Sequence, residues 1–263
     1  MIQLGILGST KGTDLKAIHE AINQKVLNAK ISVIISNRPN AYILKRAENY
    51  NIPSCFIPSK NKSRTEFDSE ISSKLKLHQV DLVLLIGFMR ILSFEFCEEW
   101  NNKVLNVHPS LLPKYAGGMD INVHEQVLNN KERETGCTIH LVTKDVDMGP
   151  ILLQKKCNVS SDDTVESLKD RVQKLEGEAF IEVIKSFKSE LDQLEKSIEI
   201  KQNENTNLIK KTKRLDETTQ KQNEDNNGLT KELAKLKKSI EIKQNENTYL
   251  IEKTKRLDET TQK

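Results

Sequence analysis

The 263 residues carry 41 Lys and Arg against 38 Asp and Glu, a net charge of only +3. Interleaved charges so nearly balanced speak against a chain devoted to nucleic acid. No apolar run approaches the ~20 residues of a membrane span, and MIQLGILGST lacks the basic start and apolar core of a secretion signal.

The averages conceal a split. All six prolines, all four cysteines, all five histidines and Trp100 precede residue 158, and nine of the ten glycines precede residue 178. Beyond about residue 189 the chain is Lys, Glu, Gln, Asn, Thr, Leu and Ile. A globular domain over 1–188 and a helical tail over 189–263 are expected. Cys55, Cys97, Cys137 and Cys157 are far apart and form no Cys-x-x-Cys pair. They are expected to be reduced core residues of a cytoplasmic protein, with no metal site.

In chain order, Ile2–Leu7 opens as a buried strand. The loop LGSTKGTDL (Leu7–Leu15) follows and enters a helix over Asp14–Gln24. Gly8 and Gly12 permit close backbone approach, and the helix N-terminus offers free amides to an anion. The loop is neither a Walker loop nor a dinucleotide fingerprint, so a plain tight turn stays open. Strands at Lys30–Ser36, Ser54–Ile57, Asp81–Gly87 and Lys103–His108 alternate with helices at Ala41–Tyr50, Arg64–Leu77 and around Phe94–Trp100. Val/Ile/Leu-rich strands without strict alternation, separated by helices, predict an α/β fold with a doubly wound, mostly parallel sheet.

The strand ending at His108 runs into LNVHPSLLPKY (Leu105–Tyr115). Asn106 and His108, two apart on a strand, point the same way. A carboxamide donor beside an imidazole suits oxyanion stabilisation and proton transfer. After Tyr115, AGGMDINVHEQVL (Ala116–Leu128) reads as a loop in which Gly117 and Gly118 allow a tight turn. Cys137–Thr143 and Ile151–Cys157 read as a strand pair, joined through GCTIHLVTKDVDMGPIL (Gly136–Leu152), which carries Asp147. Ser161–Thr164 supplies cap residues for a helix starting near Val165. No glycine or proline stops that helix near residue 188.

Residues 1–188 resemble the folate-dependent formyltransferases through LNVHPSLLPKY and the Asp147 segment. The resemblance implies formyl transfer from 10-formyltetrahydrofolate to the amine of glycinamide ribonucleotide, without a metal. It assigns catalysis to Asn106, His108 and Asp147. Asn106 donates to the oxyanion, and a protonated His108 stabilises the same charge and serves the leaving nitrogen. Asp147 raises the imidazole pKa and takes the proton of the attacking amine. It places the substrate at Gly12, Thr13 and Asp14, where Asp14 replaces a neutral amide by a carboxylate, and at Gln173, Lys174, Leu175 and Glu176. It places the folate at Arg64, at Met89, Arg90, Ile91 and Leu92, at Asn106, and at Thr143, Lys144, Asp145, Val146 and Asp147. His140 either supports the site or is a core histidine. The alternatives are a sibling formyltransferase or hydrolase, and a coiled-coil scaffold that retains the fold.

The tail repeats itself: SIEIKQNENTNLIKKTKRLDETTQK at Ser197–Lys221 returns at Ser239–Lys263 with two substitutions, an offset of six heptads. Leucine recurs at one core position of the heptad and asparagine at the other, the pattern of a two-stranded coiled coil. A homodimer through the tail is expected. A charged, partly helical and mostly disordered tail is the competing expectation, favoured by Gly228 and the polar seam residues.

Overall fold

The computed structural model describes residues 1–117 and 120–261. Gly118, expected in the turn with Gly117, lies outside the described residues. The chain forms two compact units, Met1–Gln193 and Leu194–Lys263.

The first unit holds strands β1 (Ile2–Leu7), β2 (Ala29–Ser36), β3 (Ser54–Phe56), β4 (Leu82–Leu85), β5 (Val104–His108), β6 (Glu134–Leu141) and β7 (Ile151–Asn158). They form one sheet in the order β3-β2-β1-β4-β5-β6-β7. Pairings from β3 across to β5 are parallel, and β6 and β7 add antiparallel. The fold is thus the mostly parallel α/β sheet expected from the sequence.

Packing explains why the strands lack polar alternation. All four residues of β4 are buried. Leu82 and Leu84 face one core, with Leu15 and Ile18 of α1 (Asp14–Asn23), Ile43 and Ala47 of α2 (Tyr42–Asn49), and Val172 and Phe180. Val83 and Leu85 face the other, with Phe67, Ile71 and Leu75 of α3 (Arg64–Leu77) and Phe96 of α4 (Phe94–Glu99). Helices cover both faces, so every side chain of a central strand is removed from water. α3 opens on a capping box: Glu66 N–H donates to Ser63 Oγ at 3.2 Å, and Ser63 N–H donates to Glu66 Oε2 at 2.7 Å.

The stretch expected as loop between Ala116 and Leu128 is mostly helix: α5 spans Asp120–Asn129. Val123 and Val127, one helical turn apart, are buried with Leu168 in a small third cluster. Those two valines are a short apolar stripe, and their partner lies some 40 residues further on.

The last helix, α6 (Val165–Thr261), begins at the expected cap, where Ser167 N–H donates to Thr164 Oγ1 at 3.2 Å. It continues through Gly228. In the second unit, Leu194, Ile198, Leu208, Leu215, Leu229, Leu233, Leu236, Ile240 and Leu250 are each 55–64% exposed. Threonines there donate to the carbonyl four residues back, as Thr212 does to Leu208, so their hydroxyls find partners inside the helix. Among the described residues, no helix is long and apolar enough to cross a membrane.

Candidate active site

β1 and β4 are sheet neighbours whose outgoing connections lead to opposite sides, β1 towards β2 and β4 towards β5. Such a switch point leaves a crevice beyond the carboxyl ends of the strands. A cavity of about 420 Å³ occupies that place. Its walls come from the loop after β1, the segment after β4, the end of β5, the β6–β7 connection and one face of α6.

The loop after β1 brings Thr10, Gly12, Thr13 and Asp14 to the cavity. Gly12 has φ +62°, and a Cβ there would stand 2.5 Å from Ile43 Cγ1, so both conformation and space call for glycine. Thr13 is the N-cap of α1 without a capping side-chain bond, and Asp14 is buried in the first turn. Ser9 clamps this loop to the next wall: its Oγ donates to Asn37 Oδ1 at 2.6 Å and accepts Met89 N–H at 2.9 Å. Met89, Arg90, Ile91 and Leu92 line that wall, with the Arg90 guanidinium 4.6 Å from the Phe67 ring centroid.

On β5 and β6 the register does the positioning. Asn106 lies opposite His140, and His108 opposite Thr138, so these four side chains share one face. His140 Nδ1 sits 3.0 Å from the Leu141 carbonyl, which only accepts, so this nitrogen carries the proton. The lone pair of His140 Nε2 then receives the Asn106 amide at 3.1 Å. His108, 3% exposed, is 2.9 Å from the Tyr115 carbonyl through Nε2, and its Nδ1 is 3.3 Å from Asp147 Oδ2. Asp147 accepts the Gly117 N–H at 2.8 Å and stands 3.5 Å from His140 Nε2.

Both nitrogens of His108 therefore face acceptors. The neutral ring carries one proton, so one of the two nitrogens must present a lone pair to an acceptor. Protonation of both nitrogens would relieve that repulsion. Asp147 raises the imidazole pKa, as expected, but burial is the larger influence and the net direction is downward from 6.5. Burial therefore works against the protonated form of the resting imidazole, and the neighbouring carboxylate works for it. For Asp147 burial alone would favour the acid form. The Gly117 N–H and the neighbouring His140 and His108 rings outweigh it and hold the carboxyl below its usual range.

α6 contributes Gln173 and Glu176, three apart on one face. Burial pushes the Cys137 thiol up to about 12, and the charges of Glu176 and Asp14 add to the effect, so both carboxylates stand near this thiol. Of the expected contact residues, Arg64, Lys144, Lys174 and Leu175 do not line the cavity. Arg64 and Lys174 are exposed at the surface, as is Lys144. Leu175 packs against the first core. Helix rotation carries positions 174 and 175 away from the face of 173 and 176. Thr10, Gly87, Phe88, Val142 and Gly117 line it as well, without having been expected from the sequence. The first four share a position just beyond a strand end, whereas Gly117 follows in the longer loop after β5. Among the described residues, no group of three or more His, Cys, Asp or Glu side chains could hold a metal ion.

Thr138 holds the loop after β5 in place. Its Oγ1 donates to the Ser110 carbonyl at 2.7 Å and accepts Leu112 N–H and Gln154 Nε2–H at 3.0 and 2.9 Å. The Leu112–Pro113 peptide in that loop is cis. Thr138→Val keeps the shape and strands two buried polar groups, the Ser110 carbonyl and the Leu112 N–H, while Gln154 keeps its bond to the Leu112 carbonyl, so a loss of about 2 kcal/mol in urea unfolding is expected. An unchanged midpoint would mean that water replaces the hydroxyl.

Residues 3–184 match the family model described as formyl transferase. The phosphoribosylglycinamide formyltransferase of Haemophilus influenzae is 38% identical over 188 residues, covering 71% of this chain and 87% of that protein. The human trifunctional purine biosynthetic protein adenosine-3 is 42% identical over 179 residues, 68% of this chain. The chain spans only 13–18% of the length of such trifunctional relatives. Among solved structures, the phosphoribosylglycinamide formyltransferase of Coxiella burnetii superposes with a TM-score of 0.65 at 41% identity, over 70% of this chain and 85% of that one. The matched region takes in every element that builds the cavity, and through it the chain belongs to the formyl transferase family.

Proposed function

We propose that residues 1–188 transfer a formyl group from 10-formyltetrahydrofolate to the amine of glycinamide ribonucleotide, as a step of purine synthesis. The observation that carries this is one cavity joining Asn106, His108 and Asp147 to a glycine loop at a helix N-terminus and to an apolar wall. Met89 and Ile91, partly exposed, and Leu92 offer a flat heterocycle an apolar surface. The loop at Gly12 offers backbone amides to a phosphate. The buried carboxylate of Asp14 adds a negative charge there that a phosphate must tolerate.

The bound folate supplies the formyl carbon and departs as the amine-bearing product. Asn106 uses one amide hydrogen on His140, which leaves the second for the oxygen that becomes negative as the amine attacks. The proton shed by the attacking amine has a place between His108 Nδ1 and Asp147. The resulting imidazolium donates from both nitrogens, to Asp147 and to the Tyr115 carbonyl, and can return a proton to the leaving nitrogen. His140 keeps Asn106 oriented.

The four cysteines are free, which supports a reducing, cytoplasmic setting. The exposed leucine and isoleucine seam supports the tail, residues 189–263, as a coiled coil joining two copies of the chain.

The test mixes the full chain with glycinamide ribonucleotide and a 10-formyl folate and follows the deformylated folate by absorbance. Turnover that needs the ribonucleotide is expected. Folate loss without it would overturn the assignment in favour of a hydrolase, and no turnover in favour of a scaffold.

A further inference from the structure

Resting on the dimer reading above, we propose that the tail pairs with a second copy in parallel and in register, its alignment set by charges beside the seam. With a and d the core positions of the heptad, Ile198 is an a residue and Leu208 a d residue. The a position holds asparagine at 205, 226 and 247, every third heptad, and the d position holds Lys201, Gln222 and Lys243 at the same interval. The helix is continuous across all of them, and its apolar a and d residues are exposed. An Asn layer favours two strands.

Three alignments that keep most of the tail paired set the Asn, Lys and Gln layers against one another; a 42-residue slip does so too but leaves less than half of the tail overlapped. In the parallel in-register pair each asparagine meets its own copy. A parallel pair slipped by 21 residues still matches asparagines, Asn205 with Asn226 and Asn226 with Asn247. An antiparallel pair can set Asn205 against Lys243, Asn226 against Gln222 and Asn247 against Lys201. The 21-residue slip also sets Thr212 against Leu233 and Thr219 against Ile240, so these layers tell against it, but the asparagine layers do not.

The flanking e and g positions do choose. In register, Lys211 faces Asp216 of the second copy and Glu232 faces Lys237, each twice by symmetry, all attractive. Slipped by 21, Lys211 faces Lys237 and Glu232 faces Asp216, all repulsive. Antiparallel, Glu204 faces Glu246 and Asp225 faces its own copy, again repulsive. The charge order reverses between the pair at 211 and 216 and the pair at 232 and 237. That reversal separates the in-register pair from a slip in which the Asn, Lys and Gln layers, recurring every 21 residues, still coincide.

The test uses the full chain. Sedimentation equilibrium gives its mass, and Ile198→Cys is oxidised gently and run without reductant beside the unsubstituted chain. Ile198 is exposed, so the substitution leaves the fold intact. A dimer in which the introduced thiol links to its own copy supports the proposal. A dimer without that link overturns the alignment but not the dimer, and a monomer overturns both. The double variant Glu232→Lys with Lys237→Glu keeps the in-register attractions and makes the 21-residue slip attractive too. It should give staggered species heavier than a dimer. If it stays a single dimer and links as before, charge does not set the register.

Discussion

His108→Ala is expected to lower kcat/KM for the transfer by about 10²- to 10⁴-fold, and Asn106→Ala by about 10²- to 10³-fold. Steady-state kinetics with saturating ribonucleotide would measure both. His108 Nδ1 lies 3.3 Å from the Asp147 carboxylate, and Nε2 lies 2.9 Å from the Tyr115 carbonyl, so a doubly protonated ring finds an acceptor at each nitrogen. The His140 Nε2 lone pair is 3.5 Å from the same carboxylate but already receives the Asn106 amide. A proton entering the site is therefore best placed on His108. The pH profile follows from the same geometry. An imidazole that accepts a proton must be neutral, and burial moves the His108 pKa down from 6.5. Activity should be flat near neutrality and fall only as pH drops through that lowered value. Asp147→Asn removes a group that raises the His108 pKa, so the acid limb should move further down as the rate drops. An acid limb above pH 6.5, or one unmoved in Asp147→Asn, would show that another group titrates. A His108→Ala variant within tenfold of the parent would remove the ring from the chemistry altogether.

Much of this site could be read before the fold was known, because its parts are local. Strand alternation alone puts Asn106 and His108 on one side, and the helix N-terminus after Gly12 advertises its free amides. His140 remained undecided in the sequence because its role depends on an antiparallel register that sets it opposite Asn106. That pairing joins residues 34 apart, and no local pattern encodes it. The Tyr115 carbonyl and the Gly117 N–H are backbone groups, equally invisible to residue type. The error in the opposite direction came from extending contiguous motifs. Positions 173–176 travel together in sequence, but a helix turns 174 and 175 away from the cavity, and Lys144 points out of its loop into solvent. The central strands were legible because burial on both faces leaves unbroken apolar runs. α5 was not, since two valines and a distant Leu168 carry its burial. The carboxylate beside His108 is legible in the sequence, but the cost of burying the ring, which works against its protonated form, is not.

Gly149→Ala should damage both fold and chemistry, though the residue touches no substrate. A Cβ at position 149 would lie 1.8 Å from the Leu141 carbonyl oxygen, a backbone atom with no rotamer to yield. Leu141 sits at the end of β6, where its N–H donates to the Pro150 carbonyl at 2.9 Å, so the two segments cannot simply separate. The same Leu141 oxygen accepts the His140 Nδ1 proton, and that contact fixes which His140 nitrogen receives the Asn106 amide. Moving the carbonyl therefore frees the ring to turn over and loosens Asn106. Asp147, two residues before the substitution and held at φ +56°, would shift with its loop. Overpacking against backbone is expected to cost about 3 kcal/mol, the upper part of the range for such insertions. Urea unfolding checks this, and kcat should fall more than the affinity for the ribonucleotide, whose phosphate is proposed to bind at Gly12 on another wall. Thr143→Ser, on the same connection, trims the side-chain methyl group that would stand 3.3 Å from the added Cβ but leaves the carbonyl in place. If the double variant Gly149→Ala, Thr143→Ser regains stability and rate, side-chain crowding is responsible. If it does not, the clash is with the Leu141 carbonyl, as the geometry requires.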